Sequence, residues 1–176
     1  DLLINCCGLA NFGPVLCHSE ADENALWQVN YQAPIRLMRQ IVERNRKIRL
    51  VQLSSLAALC PHPYLAAYSA SKVALQTYCL ALQEELRLKG SEMRVCLYIL
   101  GPVRTAIFPP ELQNALGGSQ LQMSPEIAAR CIIGLLQQGR SYAIVGKRYR
   151  LLAWLMKLLP QRWIIRLIGA YLRKGL

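Results

Sequence analysis

The chain has 176 residues, 53% of them hydrophobic, with 21 Lys and Arg against 10 Asp and Glu for a formal net charge of +11. That length and apolar content suit one domain with a sizeable core. Seven cysteines, with no Cys-x-x-Cys pair and no histidine array beside them, exclude a disulfide framework and a zinc site. They point to buried apolar thiols in a reducing, cytoplasmic compartment.

In chain order, Leu2 to Ile4 reads as a buried strand entering the turn Asn5-Cys6-Cys7-Gly8, with a loop as far as Pro14. Asp1 leads straight into that strand without a basic leader, so no signal peptide is expected. Ser19 to Arg46 carries Leu26, Val29, Ile35, Met38 and Ile41 at helical spacing, and Asp22 and Glu23 suit the dipole of its early turns. Pro34 interrupts this helix. It has no N–H to donate, so the carbonyl of Asn30, four residues back, loses its helical partner.

Ile48 to Leu53 is a short apolar strand with Ser54 and Ser55 at its carboxyl end, where open α/β sheets place ligands. The loop from Leu56 to Ala67 holds His62, expected as an exposed loop residue, and Tyr64, either a packing residue or a pocket wall. A helix runs from Tyr68 to about Lys89 with Gly90 as its C-cap and Val73, Leu75, Leu82 and Leu86 on its apolar side. Arg94 to Leu100 forms the next strand, followed by Gly101-Pro102-Val103-Arg104-Thr105. Ala106 to Met123 is irregular and fits a mobile lid. Ser124-Pro125-Glu126 starts a further helix, and Tyr142 to Val145 gives a last strand.

Tyr68 and Lys72 lie four residues apart, so both project from one helix face. A free phenol ionises near pH ~10, and acid–base work near neutrality needs roughly 3 to 4 kcal/mol of differential stabilisation of the phenolate. A fixed cation in a partly dry cleft supplies it. Ser55, thirteen residues before Tyr68, offers a hydroxyl that shares a carbonyl oxygen with the phenol. Ser54 is the fallback, its side chain turned to the other face of the strand. Together these groups suit proton transfer to a ketone or from an alcohol.

Five elements in order, Asn5-Cys6-Cys7-Gly8, Val29-Asn30, Ser54-Ser55, Tyr68-Ser69-Ala70-Ser71-Lys72 and Gly101-Pro102-Val103-Arg104-Thr105, resemble the short-chain dehydrogenase/reductase family. The resemblance covers Asp1 to about Gly146 and implies the C-terminal part of a doubly wound, parallel-sheet Rossmann-type α/β domain, 1–146, followed by a basic amphipathic tail, 147–176. It implies catalytic roles for Tyr68 as general acid/base, Lys72 as the cation that lowers its pKa and holds the cofactor ribose, Ser55 as carbonyl polariser and Asn30 as holder of a relay water. It further implies cofactor contacts at Asn5, Gly8, Gly101, Pro102, Val103 and Thr105. The cofactor is NADP or NAD, with NADP placed slightly ahead. The substrate is a small carbonyl or alcohol, and the full-length protein is a homo-oligomer. Cys6 and Cys7 depart from the family's Asn and Ala, which puts the hydrogen bonds of that turn in question.

In the family Leu2 to Ile4 would be the fourth strand, so the glycine-rich turn that receives the pyrophosphate is expected to be missing here. The rival reading is a catalytically incomplete fragment that binds a membrane or protein through its exposed sheet edge and tail. Such an edge predicts poor solubility or self-association.

Residues 140–176 carry nine of the basic residues and no acid. The charges alternate with Leu, Ile and Trp, and Pro160 splits the segment into two amphipathic pieces too short to span a bilayer. The pattern suits peripheral docking at a membrane surface, which would favour a lipid-like substrate. Packing against a partner subunit or over the substrate mouth is the second reading. Nucleic-acid binding is disfavoured by the high apolar content.

Overall fold

The computed structural model describes residues 1–44, 47–108, 110–115 and 122–175. Its centre is a four-stranded, wholly parallel sheet in the order β1 (Leu2–Asn5), β2 (Arg49–Ser55), β3 (Arg94–Leu100), β4 (Tyr142–Val145). Parallel neighbours need crossovers, and helices supply them on both faces. α1 (Glu20–Trp27), α2 (Ala33–Glu43) and α3 (Ala66–Leu88) precede β3, and α4 (Pro110–Ala115) and α5 (Pro125–Gln137) lie between β3 and β4. α6 (Lys147–Leu158) and α7 (Gln161–Leu172) close the chain.

The strand period of two divides the core. Leu50, Val95 and Leu97 pack with Met38 of α2 and Leu75, Cys79 and Leu86 of α3. Val51, Cys96, Tyr98 and Val145 pack on the other side with Ile132 and Leu136 of α5. This is the expected doubly wound arrangement. β1 is the exception in burial: it stands at the sheet edge with Leu2 55% and Ile4 37% exposed, where the sequence pattern predicts a buried strand.

Several expectations need correction. The helix over Ser19 to Arg46 is two helices, with Ser19 outside as the N-cap of a capping box with Asp22. Between them, Gln28–Gln32 forms a π-helical turn immediately before Pro34. The break caused by the missing proline N–H is thus absorbed as a widened turn, a form that recurs at functional sites. β2 runs to Ser55, so Ser54 and Ser55 are its last residues, and α3 begins two residues before Tyr68. The segment expected to be irregular contains α4, whose Leu112 is fully buried; residues 109 and 116–121, including Gly117-Gly118, lie outside the described part. Three thiols, Cys6, Cys7 and Cys17, are exposed, whereas Cys60, Cys79 and Cys96 are buried. His62 is half-buried, with Nδ1 2.7 Å from the Cys60 carbonyl oxygen, and burial pushes its pKa down.

Candidate active site

The carboxyl ends of β1, β2 and β3 bring the predicted groups to one end of the sheet. Ser55 closes β2, and its hydroxyl accepts from the Ala57 amide at 3.2 Å. The same side chain acts on the phenol of Tyr68, the third residue of α3, favouring its ionised form. One turn on, the Lys72 ammonium stands 5.8 Å from the centroid of the Tyr68 ring and donates to the Leu53 carbonyl at 3.3 Å. Both side chains are 5% exposed. The Ser54 hydroxyl faces α3 and donates to the Lys72 carbonyl at 3.5 Å.

Burial dominates the electrostatics. It pushes the Tyr68 phenol up from its ordinary value, and the Ser55 hydrogen bond opposes it. It also pushes Lys72 down to about 8, with Cys7 acting the other way. The expected net lowering of the phenol by the neighbouring cation does not hold in this structure. The cost of removing either charged form from water outweighs the opposing effect of Ser55 at the phenol and of Cys7 at the lysine. The phenol is therefore protonated near neutrality.

Asn30 is fully buried in the π-helical turn, and its side chain acts as a latch. Oδ1 accepts from the Leu9 amide at 2.8 Å, while Nδ2 donates to the Leu9 carbonyl at 2.8 Å and the Ser71 hydroxyl at 3.0 Å. Ser71 in turn donates to the Tyr68 carbonyl at 2.8 Å. Asn30 thereby ties the loop after β1 to the helix that carries Tyr68 and Lys72. Asn5 is likewise engaged within the protein. Its Nδ2 donates to Gln52 Oε1 at 2.8 Å, and its Oδ1 accepts from the Cys7 amide at 3.1 Å. These bonds hold the turn despite Cys6 and Cys7.

Gly8 lies between the two groups. A Cβ there would stand 3.5 Å from Lys72 Nζ and 3.6 Å from Asn30 Oδ1, so the missing side chain leaves space beside the ammonium. Gly101 has a different reason to be glycine: a Cβ would fall 2.5 Å from the ring of Tyr149, whose hydroxyl donates to the Pro102 carbonyl at 3.3 Å. Val103 bridges in parallel to Met123, and the Arg104 amide donates to the Met123 carbonyl at 2.9 Å. Thr105 offers its carbonyl to Gln113 at 3.1 Å. The loop Gly101–Thr105 is thus held from α6, from Met123 and from α4.

The far side of Tyr68 is apolar. Leu26, Ala57, Leu65, Leu112 and Leu172 form a buried cluster with it, and Phe108 meets its ring edge-on at 5.8 Å. Tyr64, in the left-handed backbone region at φ 65°, flanks this cluster and meets Phe12 at 6.3 Å; such strain is tolerated where the surrounding packing fixes it. Sequence reasoning missed Gln52, Ser71 and Tyr149. The one local signal was Gln52, a fully buried amide within the apolar run Leu50 to Leu53. An open cavity of about 320 Å³, lined by Asp1, Lys47, Arg49 and Glu92, lies at the amino ends of the strands and away from this chemistry.

Residues 1–115 match the model of the family described as short chain dehydrogenase. The chain belongs to the short-chain dehydrogenase family. Among curated short-chain dehydrogenase relatives it is 31% identical over 136 residues to the uncharacterized oxidoreductase YbbO of Escherichia coli, covering 75% of this chain and 49% of that one. It is 30% identical over 115 residues to the NADPH-dependent 3-dehydrocapnine reductase of Ornithobacterium rhinotracheale, covering 61% of this chain and 40% of that one. The chain thus spans less than half the length of these two proteins. Among solved structures, a short chain dehydrogenase from Burkholderia cenocepacia in complex with NADP superimposes with a TM-score of 0.75 at 25% identity, over 94% of this chain and 68% of that one. A 4-hydroxyisoleucine dehydrogenase complexed with NADH and succinate gives 0.68 at 27% identity, over 82% and 66%.

Proposed function

We propose that Ser55, Tyr68 and Lys72 carry out proton transfer at the oxygen of an apolar ketone or secondary alcohol. The observation that carries this reading is their convergence at the carboxyl end of β2, where Ser55 ends the strand, the Ser55 side chain acts on the pKa of a buried Tyr68, and Lys72 stands one helical turn away, 5.8 Å from the ring centroid. In the direction of carbonyl reduction, the protonated Tyr68 hydroxyl gives its proton to the carbonyl oxygen, and the Ser55 hydroxyl donates to that same oxygen. In the reverse direction Tyr68 takes the alcohol proton. Phe108 meets the Tyr68 ring edge-on, and Leu112 and Leu172 belong to the same buried apolar cluster; this apolar surrounding favours a lipid-like substrate and excludes water from the proton transfer. The cluster has to part for substrate to enter.

A nicotinamide cofactor would supply or accept the hydride. The residues present fit one: Gly8 leaves room beside the Lys72 ammonium, which suits ribose hydroxyls, and Gly101, Pro102, Val103 and Thr105 form a loop fixed from three sides. Asn5 would act indirectly, through the turn. NADP is placed ahead of NAD, and the 3-dehydrocapnine reductase named as NADPH-dependent supports that order. Asn30 is proposed to position Lys72 and its relay water from behind.

Calorimetric titration of the purified chain with NADPH and NADH tests the cofactor half of this reading, with Lys72→Ala as control. Binding that is lost in the variant supports the cofactor half, and a folded sample that binds neither cofactor overturns it for this chain. Turnover of apolar ketones by the full-length protein tests the other half. A Tyr68→Phe protein that keeps wild-type turnover overturns it.

A further inference from the structure

The last two helices show their apolar residues on the outside. In α6, Ala153 is buried and Tyr149 and Met156 are half-buried on one side, whereas Leu151, Trp154, Leu155 and Leu158 are 44 to 61% exposed on the other. In α7 the inward stripe is Ile164, Ile168 and Leu172, at i, i+4 and i+8. A second stripe at the same spacing, Trp163, Leu167 and Tyr171, is 40 to 64% exposed. Arg162, Arg166 and Arg173 run beside it. A helix packed on a soluble core shows one apolar stripe, turned inward. Here each helix has a second.

The charge decides what covers them. From Lys147 onward there are eight basic residues and no acid, so a second copy of this chain would set like charges against one another. An anionic headgroup layer complements them, and long basic side chains reach it while their stems lie along the apolar face. Two tryptophans sit in the exposed stripes, as suits a boundary that is wet on one side and apolar on the other. No helix among the described residues is long and apolar enough to cross a membrane.

We propose that the outer faces of α6 and α7 dock on an anionic lipid surface. The proposal deepens the functional reading and rests on it in one respect. Ile168 and Leu172 on the inner face of α7 pack in the cluster around Tyr68, and Gly169 lets the helix approach Pro63, where a Cβ would stand 3.1 Å from Pro63 Cγ. Docking therefore puts the cover of the Tyr68 site against the lipid, from which an apolar substrate enters.

The test is co-sedimentation of the full chain with vesicles of phosphatidylcholine and phosphatidylglycerol at about 3:1, and with phosphatidylcholine alone, together with tryptophan emission. The expected result is binding to the anionic vesicles that weakens with salt, with a blue shift from Trp154 and Trp163. Leu155→Asp with Leu167→Asp, and separately Arg162→Glu with Arg166→Glu, should each lower partition by at least about tenfold. The arginine pair is fully surface-borne and keeps the test valid should the aspartates unfold the chain, as circular dichroism would report. Equal partition into neutral vesicles, unchanged partition of the arginine variant, or conversion of a dimer to a monomer by the aspartates without vesicle binding would each overturn the proposal. Tyr68→Phe separates the two readings: it should abolish turnover and leave vesicle binding intact. Turnover without vesicle binding would leave the catalytic reading standing alone.

Discussion

Replacing Lys72 with methionine tests the electrostatic description of the site directly. Lys72 is 5% exposed and its pKa is pushed down from 10.5 to about 8 by burial. A depressed lysine makes the folded chain bind fewer protons than the unfolded one, so its contribution to stability rises with pH. Below about pH 8 the full cost of burying the ammonium applies, about 3 kcal/mol at 1.36 kcal/mol for each pH unit of depression. About 2 kcal/mol of that is recovered between about pH 7 and pH 9.5, as the buried lysine turns neutral while the unfolded one stays charged. Cys79 has the opposite sign. Burial pushes its thiol up to about 12, so its contribution is lost as pH rises through the unfolded thiol range. The wild-type profile mixes both effects, and the difference between wild type and Lys72→Met isolates the lysine. Urea denaturation of both proteins at several pH values is the assay. The methionine variant should gain on wild type at about pH 7, and the gain should shrink toward about pH 9.5. A difference that stays constant across that range would refute the burial argument.

Asn30→Ala removes an amide that satisfies both backbone groups of Leu9 and the Ser71 hydroxyl in a fully buried place. It should cost about 2 to 4 kcal/mol in denaturant midpoints, and hydrogen exchange at Leu9 should accelerate. Gly101→Ala puts a methyl 2.5 Å from the Tyr149 ring and should destabilise by about 1 to 3 kcal/mol; adding Tyr149→Ala should relieve that clash in a double-mutant cycle. Gly8→Ala meets its neighbours at ordinary contact distance, 3.5 Å or more, so thermal stability should change little. Its methyl fills the space beside Lys72, so calorimetry should find weaker NADPH binding.

The acid–base set was legible because its spacing is local. Tyr68 and Lys72 are one helical turn apart, and Ser55 ends a strand that the apolar run Ile48 to Leu53 announces. The layers were legible for the same reason, since each element's period names its face. What could not be read depends on partners distant in sequence. The Asn30 side chain meets Leu9 and Ser71, 21 and 41 residues away; only Pro34, its near neighbour, left a sign. Gly101 was read as part of a motif, yet its steric reason is Tyr149, which arrives from α6. His62 lies between prolines in a polar-looking loop, and only the fold brings that loop under α7. The direction of the Tyr68 shift was missed because a sequence shows the neighbouring cation but not the depth at which both groups sit.

That depth connects the site to the tail. Tyr68 is as buried as Leu86 in the core, at 5% exposure, within an apolar cluster to which Phe108, Leu112 and Leu172 contribute. Two of these residues precede β4 and the third ends α7, the helix whose opposite face shows Trp163 and Leu167 to solvent. A side chain of the cluster around Tyr68 and side chains that meet the surrounding medium therefore belong to the same short helix, which the chain reaches from β4 by way of α6. Any force that shifts α7 acts on the cluster. An aqueous setting gives the exposed stripe nothing to gain from moving, since it is unfavourably hydrated either way. A lipid surface lowers its free energy only when the helix lies flat on it. The opening of the site and the burial of the outer stripe are coupled through this helix, and the coupling predicts that anionic vesicles should speed the modification of Tyr68 by a phenol-selective reagent in wild type but not in Arg162→Glu with Arg166→Glu.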